Sequence, residues 1–178
     1  MIKIIVTGGT FDKIYDEKKG RLGFQQSHLK EALQRCKNQL EVSISILMLT
    51  DSKRLGDHHR DIIAEYVARC PEQKIVITHG TDTICQTGRH IGRKIKDKVV
   101  VLTGAMIPYS LKNSDALFNL GSALAFVQIL PPEVYIAMNG MSFLASLCQK
   151  NKKTGCFEAT TSIQKQDDDD QFLMSQSL

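Results

Sequence analysis

Three short runs, IKIIV at 2–6, KIVITH at 74–79 and VVVLT at 99–103, are almost continuously apolar and rich in β-branched residues. A strand with one wet face alternates polar and apolar side chains. A strand apolar at nearly every position is buried on both faces, which points to a parallel sheet covered by helices on each side. Strands are expected at 2–6, 42–49, 75–79, 99–103 and 134–138. Helical patterns fall between them, at about 28–38, 57–69, 83–95 and 115–129. In the first of these, Leu29, Leu33, Cys36 and Leu40 recur at helical spacing, and the last opens with Ser114 and Asp115 at cap positions. Strand–helix alternation predicts a single α/β domain over residues 1–160, doubly wound and mostly parallel, with flavodoxin-like three-layer architecture. Residues 161–178, with the acidic run Asp167 to Asp170, read as a polar, mobile tail.

The bulk properties exclude several classes. The 178 residues suffice for one core; 42 % are hydrophobic and 24 % charged, as in ordinary soluble domains. The formal charge of +4 is spread along the chain, so no nucleic-acid footprint is indicated. The segment RKIKDK (93–98) reads as a solvated helix end and turn. Five cysteines, an odd number without CxxC spacing, suit free thiols in a reducing cytoplasm. Met1 leads directly into a strand, so no cleavable leader is expected. No apolar run approaches the roughly 20 residues of a membrane helix.

The polar residues converge at the predicted strand ends. In an open doubly wound sheet, ligands bind beyond the carboxyl ends of the strands, where the strand order reverses. The first strand ends in Thr7-Gly8-Gly9-Thr10, the second in Thr50-Asp51-Ser52, the third in Thr78-His79-Gly80-Thr81-Asp82-Thr83 and the fourth in Thr103-Gly104. Asp82 and Thr83 also suit a helix N-cap. Residues 11–26 make an unusually long connection. They suggest a small hairpin with Gly20 in its turn, and their departure directly from TGGT favours a lid. A threonine hydroxyl needs an activating base or proton path to act as a nucleophile. His79 reads as a packing or capping residue, and His58-His59 lacks further ligands at metal-site spacing. No metal and no cofactor is expected.

VTGGT (6–10), THGTDT (78–83), VVVLTGAMIPYSLKNSDALFNLGSALA (99–125), VYIAMNG (134–140) and the lysine in QKNKKTGCFEA (149–159) together resemble the amino-terminal catalytic domain of the L-asparaginase family. The resemblance implies hydrolysis of L-asparagine to L-aspartate and ammonia through a threonine acyl-enzyme, with L-glutamine as a second substrate to consider. It implies Thr10 as nucleophile and a second triad of Thr81, Asp82 and Lys150. Asp51, Ser52 and Asp82 correspond to the substrate's α-amino and α-carboxylate contacts, with Gly9 and Gly80 in the binding turns. Tyr15 is the nearest match to a lid tyrosine, closer to Thr10 than the family's spacing. The family's second domain has no counterpart in the sequence, which reads as a short single-domain form. A cytoplasmic homo-oligomer, dimer or larger, is implied, with no nucleic-acid or membrane partner.

Two other readings stay open at this point. A non-catalytic amino-acid-binding module would keep Asp82 and the glycine turns. A dinucleotide-binding oxidoreductase is suggested by VTGG after a first strand, but GxGxxG spacing is absent and Asp51 lies too far on for a ribose ligand.

Overall fold

The computed structural model describes residues 1–160, so the expected 161–178 tail lies outside the described residues. In chain order the elements are β1 (Ile2–Gly8), β2 (Ile14–Asp16), β3 (Arg21–Gly23), α1 (Leu29–Arg35), β4 (Val42–Thr50), α2 (Asp57–Arg69) and β5 (Lys74–Thr78). They continue with α3 (Ile84–Lys94), β6 (Val99–Thr103), α4 (Ala116–Ile129), β7 (Glu133–Met138), β8 (Met141–Leu144), β9 (Cys148–Lys150) and β10 (Phe157–Ala159). The main sheet has the order β4-β1-β5-β6-β7-β8. Its first five strands are parallel, and their order is the flavodoxin-like one. β8 adds an antiparallel edge strand. Asn139 and Gly140, both at positive φ (54° and 79°), make the two-residue turn into it. This Asn-Gly signal is the usual one for a tight hairpin and was present in the sequence.

Continuous apolarity in the central strands has the expected cause. Ile5, Ile75, Ile77, Val100, Leu102 and Ile136 pack against α2 and α3. Ile4, Val6, Val76, Val101 and Ala137 pack on the opposite side, with α1 and α4. At the edge, β4 is only partly covered, and Ile46 is 58 % exposed.

The placement of α4 is the unexpected feature. From β5 through β6 to β7 the chain moves in one direction across the sheet. Yet α3 lies on one face and α4 on the other. The crossovers through α1, α2 and α3 therefore share one hand, and β6–α4–β7 has the opposite hand. Parallel crossovers are right-handed in about 98 % of cases, which makes the α4 connection left-handed. The change of face is achieved by residues 104–115, which cross the carboxyl end of the sheet.

Local expectations fail where tertiary partners intervene. Lys98 is buried instead of solvated, and its ammonium donates to the carbonyls of Cys70 (2.6 Å) and Glu72 (3.2 Å). α1 stops earlier than its apolar pattern, at a Schellman turn. The Lys37 and Asn38 amides donate to Gln34 and Leu33 carbonyls, and Lys37 takes φ 52°. At α4, Ser114 Oγ accepts the Ala116 amide at 3.1 Å, while Asp115 turns back to accept the Met106 and Ile107 amides, each at 3.0 Å.

Candidate active site

The strand ends meet because their backbones touch. Gly9, at φ 83°, lies so close to Gly80 that a Cβ there would sit 2.3 Å from the Gly80 nitrogen. A Cβ on Gly80 would sit 2.4 Å from Ser52 Oγ. Only glycines allow three loops from β1, β4 and β5 to approach like this. Buried threonines brace the same level of the sheet: Thr7 Oγ1 donates to the Thr78 carbonyl and Thr103 Oγ1 to that of Ala137.

Thr10 follows Gly9 and opens a 3-10 turn, Thr10–Asp12, at half-buried exposure. Phe11 anchors that turn in the core and Asp12 closes its base, accepting from Ser27 Oγ and the His28 amide at 2.9 Å each. Burial raises the Asp12 pKa against those hydrogen bonds. Beyond this base, β2 and β3 form the expected hairpin, with Gly20 at φ 61°. Tyr15 stands on it 54 % exposed, and no hydrogen bond among the described residues joins it to Thr10.

Thr81 is buried, and its hydroxyl accepts from Lys150 Nζ at 2.8 Å. The same ammonium donates to Asp82 Oδ1 at 2.9 Å. Lys150 arrives from β9, held at its end by β10, where Phe157 pairs with it. Lys53 Nζ lies 3.4 Å from Asp82 Oδ2. The Lys150 hydrogen bond, outweighing partial burial, lowers the Asp82 pKa, so this carboxylate is ionised at neutral pH. Asp82 therefore does not cap α3. Thr83 makes no cap either: its hydroxyl donates instead to the Ser52 carbonyl at 2.9 Å. The tertiary partners outcompete the local backbone.

Asp51 accepts from Lys13 Nζ at 2.6 Å, and this hydrogen bond lowers its pKa. Its other oxygen accepts the Lys53 amide at 3.1 Å, capping the 3-10 turn that buries Ser52. His79 is fully buried. Its Nδ1 shares a hydrogen bond with the Gly80 carbonyl at 2.8 Å, and burial lowers its pKa to about 4, leaving it neutral. Among the described residues no group of His, Cys, Asp and Glu side chains is arranged to hold a metal ion.

Lys13 and Lys53 escape sequence reasoning, since an exposed-looking lysine carries no local signature. Asn119 escapes it too, although a polar residue on an apolar helix face is a signal. It is fully buried in α4, donates to the Gly104 carbonyl and accepts the Asn139 amide. The 104–115 crossing roofs the lid base: the Tyr109 amide donates to Phe11 and Ser110 Oγ to the Lys13 carbonyl.

Known proteins resemble this chain in sequence and fold to a defined extent. An L-asparaginase of Thermococcus kodakarensis is 40 % identical over 83 residues, 46 % of this chain and 25 % of that one. A probable periplasmic L-asparaginase of Haemophilus influenzae is 32 % identical over 134 residues, 69 % of this chain and 37 % of that one. The solved structure of the thermostable Thermococcus kodakarensis L-asparaginase superposes with a TM-score of 0.78 at 28 % identity, covering 89 % of this chain and 50 % of that one. The chain thus spans a quarter to a half of the length of these relatives. The family model for the asparaginase amino-terminal domain matches residues 1–167, and with fold and sequence in agreement, the chain belongs to the asparaginase family.

Proposed function

We propose that this domain hydrolyses the side-chain amide of L-asparagine, giving L-aspartate and ammonia through an ester on Thr10. One observation carries the reading: Lys150 donates to both Thr81 and Asp82, residues 69 and 68 positions away, beside the Gly9–Gly80 contact that leads into Thr10. Structural lysines that pair with a carboxylate are common. One that also holds a buried threonine hydroxyl at a strand-end crevice is the arrangement expected of a proton path.

In this mechanism the Thr10 hydroxyl oxygen attacks the amide carbon and its proton leaves through the Thr81 side of the crevice. The C–N bond breaks as the nitrogen takes a proton and departs as ammonia. Water then attacks the Thr10 ester and the alcohol is restored. The first N–H groups of the Thr10–Asp12 turn have no partner within that turn and suit the oxyanion, where each donor is typically worth about 2.7–4 kcal/mol. An ammonium donates and does not accept, so Lys150 polarises Thr81 in the resting state and takes a proton only after losing one. Asp82 and Asp51 serve the substrate's α-ammonium, Ser52 its α-carboxylate, and Gly9 and Gly80 the close backbone contacts. For Asp51 to contribute, Lys13 must swing away from it. The hairpin in 11–26 acts as a lid over the 1–160 catalytic unit, carrying Tyr15 toward Thr10 on closure.

The expected homo-oligomer is supported by large apolar side chains left exposed, Ile46, Phe118 and Met141 among them. A cytoplasmic setting is supported by five cysteines without a disulfide. Glutamine differs from asparagine by one methylene, which a pocket separates by only about 1–3 kcal/mol.

The deciding experiment measures ammonia release from L-asparagine and L-glutamine, with Thr10→Ala as control. Release that depends on Thr10 supports the mechanism. No release, with asparagine still raising the thermal midpoint, replaces it by the binding-module reading.

A further inference from the structure

Behind the Lys150 site lies a feature that the hydrolytic mechanism does not use. Cys85, in the first turn of α3, and Cys148, the first residue of β9, hold their sulfurs 3.7 Å apart. They come from elements 63 residues apart in sequence and meet inside the core cluster beneath the sheet's carboxyl end. Both are free thiols. Each stands next to the candidate site: Cys85 lies three residues after Asp82, and Cys148 two before Lys150. Arg89 donates to the Cys148 carbonyl at 3.0 Å, so a cation lies against the pair.

We propose that Cys85 and Cys148 form an oxidisable dithiol site whose disulfide displaces Lys150 from Thr81 and Asp82 and reversibly switches turnover off. The second half of this statement rests on the hydrolytic reading above. A disulfide requires sulfurs about 2.0 Å apart, so one or both sides must move. α3 is a regular helix packed against β7 and α2, whereas β9 is a three-residue strand that, among the described residues, pairs only with the equally short β10. β9 is the side that yields, and Lys150 travels with it. Catalytic geometry tolerates little of this, since a displacement of about 1 Å can cost about 100-fold in rate.

The chemistry balances with hydrogen peroxide as oxidant. The Cys85 thiolate attacks one peroxide oxygen, the O–O bond breaks, and hydroxide leaves and is protonated to water. Cys85 is then a sulfenic acid. The Cys148 sulfur attacks the Cys85 sulfur, the S–O bond breaks, and the departing hydroxide takes the Cys148 proton. Two thiols and one peroxide give one disulfide and two waters. The roles follow from position: Cys85 is 8 % exposed and Cys148 only 1 %, so the oxidant meets Cys85 first. Consistent with that order, the hydrogen bond from Cys148, with help from Arg89, favours the Cys85 thiolate. Hydrogen bonding with Cys85 and burial keep Cys148 protonated. Reduction by a dithiol reverses the reaction by thiol–disulfide exchange.

The test uses the full chain with the two exposed cysteines replaced, Cys36→Ser and Cys156→Ser, so that bridges between molecules do not form. It is treated with hydrogen peroxide and read three ways. Peptide mass spectrometry is expected to find the Cys85 and Cys148 peptides joined, two hydrogens lighter than their sum. A brief acetic anhydride pulse is expected to label Lys150 several-fold faster after oxidation. Ammonia release is expected to fall at least tenfold and to recover with dithiothreitol. Adding Cys148→Ala, or Cys85→Ala if the first variant does not fold, should abolish the joined peptide, the Lys150 labelling change and the inhibition together. Absence of the joined peptide overturns the dithiol site. A joined peptide with unchanged Lys150 labelling overturns the switch. If the reduced protein releases no ammonia, the hydrolytic reading fails, while the peptide and labelling results still decide this one.

Discussion

His79 links the candidate site to acid stability, and the size of the link follows from its burial. The imidazole is fully enclosed, its Nε2 has no partner among the described residues, and Arg60 contributes a further positive charge nearby. Burial lowers its pKa from 6.5 to about 4. A histidine with a depressed folded-state pKa binds its proton more tightly in the unfolded chain. Its contribution is therefore neutral above pH 6.5, turns destabilising as pH falls through 6.5, and levels off below 4. At about 1.36 kcal/mol per pH unit, the 2.5-unit window amounts to about 3 kcal/mol of lost stability. The chain has no Trp, so equilibrium urea unfolding is followed by far-UV circular dichroism between pH 7 and 4. His79→Asn keeps a donor for the Gly80 carbonyl and removes the titrating ring. The variant is expected to be less stable at pH 7 through the smaller side chain, yet to lose about 3 kcal/mol less than the parent on acidification. Parallel pH slopes in parent and variant would refute the reasoning.

Three further outcomes follow from the same geometry. Lys150→Met removes the donor shared by Thr81 and Asp82 and should lower ammonia release by about 100- to 10,000-fold with circular dichroism unchanged, the range for a lost acid–base group; a loss under tenfold would exclude Lys150 from the proton path. Gly9→Ala forces a Cβ against the Gly80 backbone at a positive φ, so urea unfolding should reveal a cost of at least about 2 kcal/mol. Lys37→Gly relieves a left-handed residue at the end of α1 and should raise stability by about 0.5–1 kcal/mol; no gain would mean that the Lys37 side chain contributes as much as its strain costs.

The parallel core was legible because burial on both faces leaves a direct trace, unbroken apolarity in Ile4-Ile5-Val6 or Val99-Val100-Val101. The convergence of Gly9, Ser52, Gly80 and Asp82 was legible because strand order alone brings those ends together. The cap at Asp82 and Thr83 was misread because a helix start offers their oxygens a local partner, and nothing nearby announces a lysine 68 residues on. Lys98 was misread for the converse reason: its carbonyl partners at Cys70 and Glu72 belong to another turn. Handedness left no trace at all. An apolar helix such as α4 fits either face of a sheet, and only the path of 104–115 decides which.

That path also governs when the crevice comes into being. Tyr109 meets Phe11, 98 positions earlier in the chain, stacking at 6.1 Å between ring centroids. Loops of such length close late, after local helices and hairpins have formed. A chain still emerging from the ribosome can assemble β1, α1 and β4, yet the Thr10 turn has no roof until α4 has crossed and docked beside α1. Incomplete folding products then lack an organised Thr10 turn, and the nucleophile proposed above is withheld until nearly the whole domain is in place.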